Sequence, residues 1–124
     1  MLKKLFYNER FAAILWVGLA LATVIQNVVI RGRFNNYLIF EGVFNHTLKQ
    51  LPLFIPYPEE YGDMNHYGVF FSAIIAPFAL LPSSLGCALW ILANAAFLYW
   101  TIHQLPLSKG AIIGILLIAA HDMY

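Results

Sequence analysis

Three of the six acidic residues of the chain fall within six positions, Pro58-Glu59-Glu60-Tyr61-Gly62-Asp63, and His66 and Tyr67 follow closely. Carboxylates at this spacing beside a histidine can do two kinds of chemistry. Their oxygens can hold a divalent cation, or one of them can take a proton from a hydroxyl as a general base. The plain alternative is a solvated loop whose charges keep it out of an apolar surrounding, and the residues alone leave both open. The other ionisable groups say less. Glu41 stands alone at the border of a helical polar face, where solvation is its simplest role. Arg31 and Arg33 suit phosphate or lipid head groups. His121 and Asp122 lie in an apolar run, where ionisable groups are costly. Asn45-His46-Thr47 matches the glycosylation sequon, a short pattern and a poor acceptor on a membrane-surface helix. Cys87 is the only cysteine, which excludes an intramolecular disulfide and a cysteine-based zinc site.

The elements that must position these residues are apolar. The chain has 124 residues, 61% hydrophobic and 10% charged, with mean hydropathy +0.72. The 45 residues between Asp63 and Lys109 carry no formal charge, and residues 11–30 carry none either. Such windows need burial on nearly every side, which lipid supplies, so composition predicts an integral membrane protein. A net charge of +1 gives no basic stripe for nucleic acid. No G-x-x-x-x-G-K-[ST] or G-x-G-x-x-G occurs, so nucleotide binding has no support.

The expected fold is all-α and multi-pass, one membrane domain. Residues 1–10 form a cytoplasmic tail with Lys3, Lys4 and Arg10, and 11–30 form a span too long for a signal-peptide core. Residues 31–67 are an external polar insert, 68–82 a short apolar segment, re-entrant or crossing, and 84–103 a second span. Residues 110–124 begin a third span that stops short, so the chain is expected to be the N-terminal piece of a longer protein. Gly110 and Gly114 offer that span a small-residue face for close packing. If 68–82 does not cross, the insert and the connector at Lys109 lie on opposite sides; if it does, both lie outside. The length and the basic residues favour the first arrangement.

Within the insert, Tyr37, Phe40, Phe44, Leu48 and Leu51 recur at steps of three and four. Asn35, Gly42, Asn45, His46 and Lys49 take the other side, which predicts an amphipathic helix lying in the membrane interface. Pro52, Pro56 and Pro58 then break the helix and predict an irregular loop through Tyr67.

The stretches Phe34-Asn35-Asn36-Tyr37-Leu38-Ile39-Phe40, Tyr57-Pro58-Glu59-Glu60-Tyr61, His66-Tyr67-Gly68-Val69-Phe70-Phe71-Ser72 and Ala76-Pro77-Phe78-Ala79-Leu80-Leu81-Pro82 occur in that order, closed by Leu89-Trp90 to Leu98. This order resembles the start of bacterial glycosyltransferase family 87, the polyprenyl-phosphate mannosyltransferase-like proteins of the GT-C type. The resemblance covers most of the chain and the first quarter or third of such a protein. It implies transfer of a hexose, mannose foremost, from a polyprenyl-phosphate donor to an acceptor on the outer face of a bacterial cytoplasmic membrane. It implies Asp63, Glu59 or Glu60 as base or metal ligand, with Asn36, His66 and Tyr67 positioning substrate. The partners would be the lipid-linked donor, membrane lipid and the remaining spans of the parent chain, without which this piece is inactive. No cofactor is certain, though a divalent cation fits the leaving lipid phosphate. Two departures stand out. Arg33 occupies the position where the family often has its acid, and Val69 stands where it tends to have proline. A transporter or a non-catalytic structural subunit is the rival expectation. A transporter predicts ionisable residues inside complete spans, and here Gln26, Asn27 and Asn94 are the most polar groups of the two spans.

Overall fold

A computed structural model describes Lys4, residues 8–32 and residues 34–123; Arg33 and the side chain of Asp122 lie outside the described residues. Among the described residues the secondary structure is entirely helical: α1 (Glu9–Val24) continued by a π-helical segment (Ile25–Ile30), then α2 (Asn35–Leu48), α3 (Val69–Ala79), α4 (Ser83–His103) and α5 (Lys109–Met123). The chain divides into two compact units. One is Arg31–Trp90; the other joins Met1–Ile30 to Ile91–Tyr124, so α4 contributes to both.

In the unit built from the two chain ends, α1 packs against α5. Ala12, Trp16 and Ala20 recur at steps of four and are buried, the spacing that puts side chains on one helical face. Ala12 and Trp16 join Ile102, Ile113, Leu116 and Ala120 in a single core. The Trp16 indole N–H donates to the Ala95 carbonyl at 2.9 Å, so its polar atom is satisfied inside an apolar contact. Each helix start is capped. Asn8 Oδ1 accepts from Arg10 N at 2.9 Å and Ser108 Oγ from Ala111 N at 3.3 Å, satisfying amides that lack an intrahelical partner. Lys109 Nζ lies 2.9 Å from Glu9 Oε2. The pair is exposed and contributes little to stability, but it fixes a direction. The first residue of α1 meets the first residue of α5, so these helices run parallel. Ile102, near the end of α4, joins the same core, and residues 104–108 connect α4 to α5.

Gly114 was expected to bring helices close, but a Cβ there would meet nothing within 4 Å. Ala12, Ala20 and Ala120 are buried, and Ala12 and Ala120 belong to the shared core. The outward faces are apolar. Ile14, Val17, Leu21, Val29 and Ile30 are exposed, as are Phe97, Leu98, Trp100 and Ile118. Glu9–Ile30 and Ser83–His103 are 22 and 21 residues long and apolar enough to cross a membrane. At ~1.5 Å per residue each covers a little over 30 Å, about one hydrocarbon core. Only 11% and 22% of their most apolar stretches are buried within the protein, which a core helix of a water-soluble domain would not show.

In the unit Arg31–Trp90, α2 packs against α3. Phe40 on α2 meets Tyr67, Phe71 and Trp90 edge-on, at ring separations of 5.0, 5.1 and 5.8 Å. Phe78 closes on Trp90 at 5.3 Å. Such tilted aromatic contacts are the favourable ones. The α3 helix has 11 residues with Pro77 inside it. It covers about 16 Å, roughly half a hydrocarbon core.

The buried face of α2 differs from the expected one. Tyr37, Ile39, Gly42, Val43 and His46 are buried, while Leu48 and Leu51 are exposed. Gly42 and His46, assigned to the polar side, lie under the proline-broken loop. Tyr61 sits over Gly42, where an added Cβ would come within 2.6 Å of its ring, and Tyr57 stacks on His46 at 3.8 Å. The α2 helix therefore packs on two sides, one to α3 and one to the loop.

Candidate functional site

The loop is irregular, as its prolines dictate, but it is held at named points. Tyr57 Oη donates to the Pro52 carbonyl at 2.5 Å, and Tyr61 N and Glu60 N donate to the Tyr57 carbonyl at 3.0 and 2.9 Å, making one helical turn. Asn65 is 2% exposed and ties the end of the loop together. Its Nδ2 donates to the carbonyls of Leu53 and Tyr67 at 3.0 and 2.9 Å, and its Oδ1 accepts from Tyr67 N at 2.8 Å. Asn35 Oδ1, at the start of α2, accepts from Gly62 N at 2.6 Å. These amide side chains satisfy backbone groups that no regular element serves.

Folded in this way, residues 56–58 and 61–64 line an open cleft of about 230 Å³. Asp63 lies on it with Tyr57 and Tyr61. Asp63 Oδ1 accepts from Met64 N at 2.7 Å, which fixes the carboxylate by one oxygen. Glu60 turns away from the cleft: its Oε2 comes within 2.8 Å of His46 Nε2. The contact is close but not aligned as a hydrogen bond, and Nε2 has no hydrogen-bond partner. Glu59 and His66 are exposed, and so is Asn36. Tyr67 belongs to the aromatic group of Phe40 and Phe71, stacked on the latter at 4.7 Å. Of the six residues singled out from the sequence, Asp63 lines the cleft, Glu60 meets α2 and Tyr67 holds α2 to α3. The cleft adds Tyr57 and Tyr61, whose rings lie 6.1 Å apart at 56°. Burial of Tyr61, then the carboxylate of Glu60 and the neighbouring Tyr57, push its hydroxyl above the usual phenol range. It stays protonated and can donate, and it has no partner within the protein.

A second set of polar atoms lies where α2 meets the start of α4. Ser83 Oγ donates to Glu41 Oε1 at 3.1 Å. Glu41 Oε2 and Tyr37 Oη are buried and unpartnered. Burial foremost, then Glu41 and Cys87, push the Tyr37 phenol up to about 12. Among the described residues no three of His, Cys, Asp and Glu are grouped as ligands for a metal ion. The described loop carboxylates therefore form no ready cage for a divalent cation.

Sequence reading missed Asn35, His46, Tyr61, Asn65 and the pairing of Glu41 with Ser83. Asn65 carried a signal, an amide among turn residues. His46 carried none, because its burial depends on a loop ten residues further on. No family model, no curated protein and no solved structure matches the chain.

Proposed function

We propose that the chain is the N-terminal part of a membrane glycosyltransferase that takes a hexose, mannose foremost, from a polyprenyl-phosphate donor at the outer face of a bacterial cytoplasmic membrane. The observation that carries the reading is a folded, carboxylate-bearing, tyrosine-lined segment, residues 31–82, that separates in sequence two helices long and apolar enough to cross a bilayer. A donor whose tail stays in lipid has to meet its acceptor at the membrane surface. A unit of this kind, tethered at both ends by span-length helices, is held there.

In this reading Asp63 accepts the proton of the acceptor hydroxyl. The acceptor oxygen bonds to the anomeric carbon, the bond from that carbon to the lipid phosphate oxygen breaks, and the electron pair leaves with the phosphate. The Tyr61 hydroxyl, which has no partner within the protein, and the Asp63 carboxylate suit the hydroxyls of a pyranose. Glu60 and Glu59 stand beside Asp63 in sequence as the further candidates.

The test is transfer of labelled hexose from a polyprenyl-phosphate donor by membranes containing the full-length parent protein. Asp63→Asn should lower turnover by about 10²-fold or more, the usual scale for losing a general base, with membrane insertion unchanged. Wild-type membranes that transfer no hexose would remove the reading. Full transfer by Asp63→Asn, Glu59→Gln and Glu60→Gln alike would remove the site.

A further inference from the structure

Glutamate 41 and tyrosine 37 have no part in the reaction proposed above, yet both present buried polar atoms. The ion pairs among the described residues are His46–Glu60 and Lys109–Glu9, so Glu41 has no cationic partner among them. One of its oxygens is anchored by Ser83, and the other is buried and bare. Tyr37 is 3% exposed, and its hydroxyl too is bare. Its approach depends on Gly86. A Cβ at that position would collide with Tyr37 Oη and stand 2.5 Å from the Phe78 carbonyl oxygen, so both oxygens converge beside the first turn of α4. Phe78 lies in the last turn of α3, at the negative end of the helix dipole; its carbonyl accepts from Leu81 N at 3.1 Å and keeps a second lone pair.

We propose that Glu41, Tyr37, Ser83 and the Phe78 carbonyl hold a monovalent alkali cation, sodium or potassium, at the junction of α2, α3 and α4. Every donor is an oxygen, which selects a hard cation over a soft one. The set contains one carboxylate and otherwise neutral groups. A single positive charge balances it; a divalent ion would leave a net charge buried, which is expensive. The high phenol pKa keeps Tyr37 neutral at any physiological pH. The C-terminal end of a half-length helix beside a half-buried carboxylate with one buried oxygen is an arrangement that suits such ions in membrane proteins. Buried polar groups are satisfied as a rule, and a bound ion satisfies both orphan oxygens at once.

The chain supplies its own reporter. Cys87 follows Gly86, is 2% exposed and is the only cysteine. The experiment compares the 124-residue chain in detergent in sodium, potassium and choline chloride at equal ionic strength. It reads the thermal unfolding midpoint and the rate of Cys87 alkylation by a maleimide. Sodium or potassium should raise the midpoint saturably and slow alkylation several-fold relative to choline. Glu41→Gln should abolish both responses, and Tyr37→Phe should weaken the apparent affinity by about tenfold, the scale of one lost ligand. Identical behaviour in all three salts would overturn the proposal even if neither variant folds, and so would an alkali response that survives in Glu41→Gln. Neither readout involves a sugar donor, so this result and the fate of the glycosyltransferase reading are independent.

Discussion

The histidine at position 46 shows how a residue acquires a role that its own helix does not announce. It is 2% exposed, with the Tyr57 ring stacked on it and the Glu60 carboxylate within 2.8 Å of Nε2. Removing the ring leaves a hole between α2 and the loop. His46→Ala should cost about 2–5 kcal/mol, as other large-to-small changes in packed interiors do. His46→Phe keeps the stack, gives up the carboxylate contact and should recover most of the loss. Unfolding of both variants in detergent, with proteolysis of the loop as a second measure, checks this. Equal damage from both substitutions would mean that the carboxylate contact, not the stack, holds the loop. Tyr37 gives a pH signature. Its folded-state pKa is raised from the ordinary phenol value of 10.0 to about 12. A raised pKa means the folded state favours the protonated phenol, so its stabilising share is complete below pH 10 and is lost as pH climbs through 12. Alkaline unfolding in that window should be shallower in Tyr37→Phe, followed by phenolate absorbance alongside helicity. The acidic cluster was legible in sequence because charge is rare in this chain. The roles of His46 and Glu41 were not, because each depends on a partner more than ten residues away.

Helices were legible wherever local signals suffice: two long apolar runs, a periodic run ended by proline, and a short run before Pro82. The rotation of α2 was not. Its sequence contains two apolar stripes, and which lies inside is decided by the loop that folds back over Gly42. That glycine is the point where element and loop meet. A Cβ would come within 2.6 Å of the Tyr61 ring, too close for a real contact, and Tyr61 is 4% exposed and cannot swing away freely. Gly42→Ala favours the helix intrinsically, by up to about 1 kcal/mol. Overpacking should outweigh that gain and leave a net loss of about 1–2 kcal/mol, with the loop displaced. Increased protease cleavage between residues 51 and 67, with the helix content of the chain unchanged, is the expected result. A Gly42→Ala protein more stable than wild type would show that Tyr61 does not rest on α2 in solution. Hydrophobic periodicity reports that a face is buried; it does not report what covers it.

For the whole chain the question to test is which side of a membrane each polar segment would occupy, and the direction of the helices sets the expectation. The first residue of α1 meets the first residue of α5 through Glu9 and Lys109. Parallel helices that enter a bilayer start on the same side, so residues 8–10 and the connector 104–108 share a face. If both span-length helices enter a bilayer, the expected path crosses once in α1 and returns once in α4. The 11 residues of α3 fit this, since about 16 Å does not bridge a core of about 30 Å. That path predicts opposite sidedness for residue 63 and residue 109, which labelling can read. In a Cys87→Ala background, Asp63→Cys should react with a membrane-impermeant maleimide in intact cells, whereas Lys109→Cys should react only after the membrane is opened. Reaction of both from outside would require α3 to cross as well, and the Glu9–Lys109 pairing would then be lost. Ile14→Arg supplies the control. Ile14 is 72% exposed on the apolar face of α1, and arginine at such a depth costs about 2.5–3.5 kcal/mol on insertion scales. That substitution should reduce the fraction of chains that reach the membrane, while the sidedness of those that do stays the same.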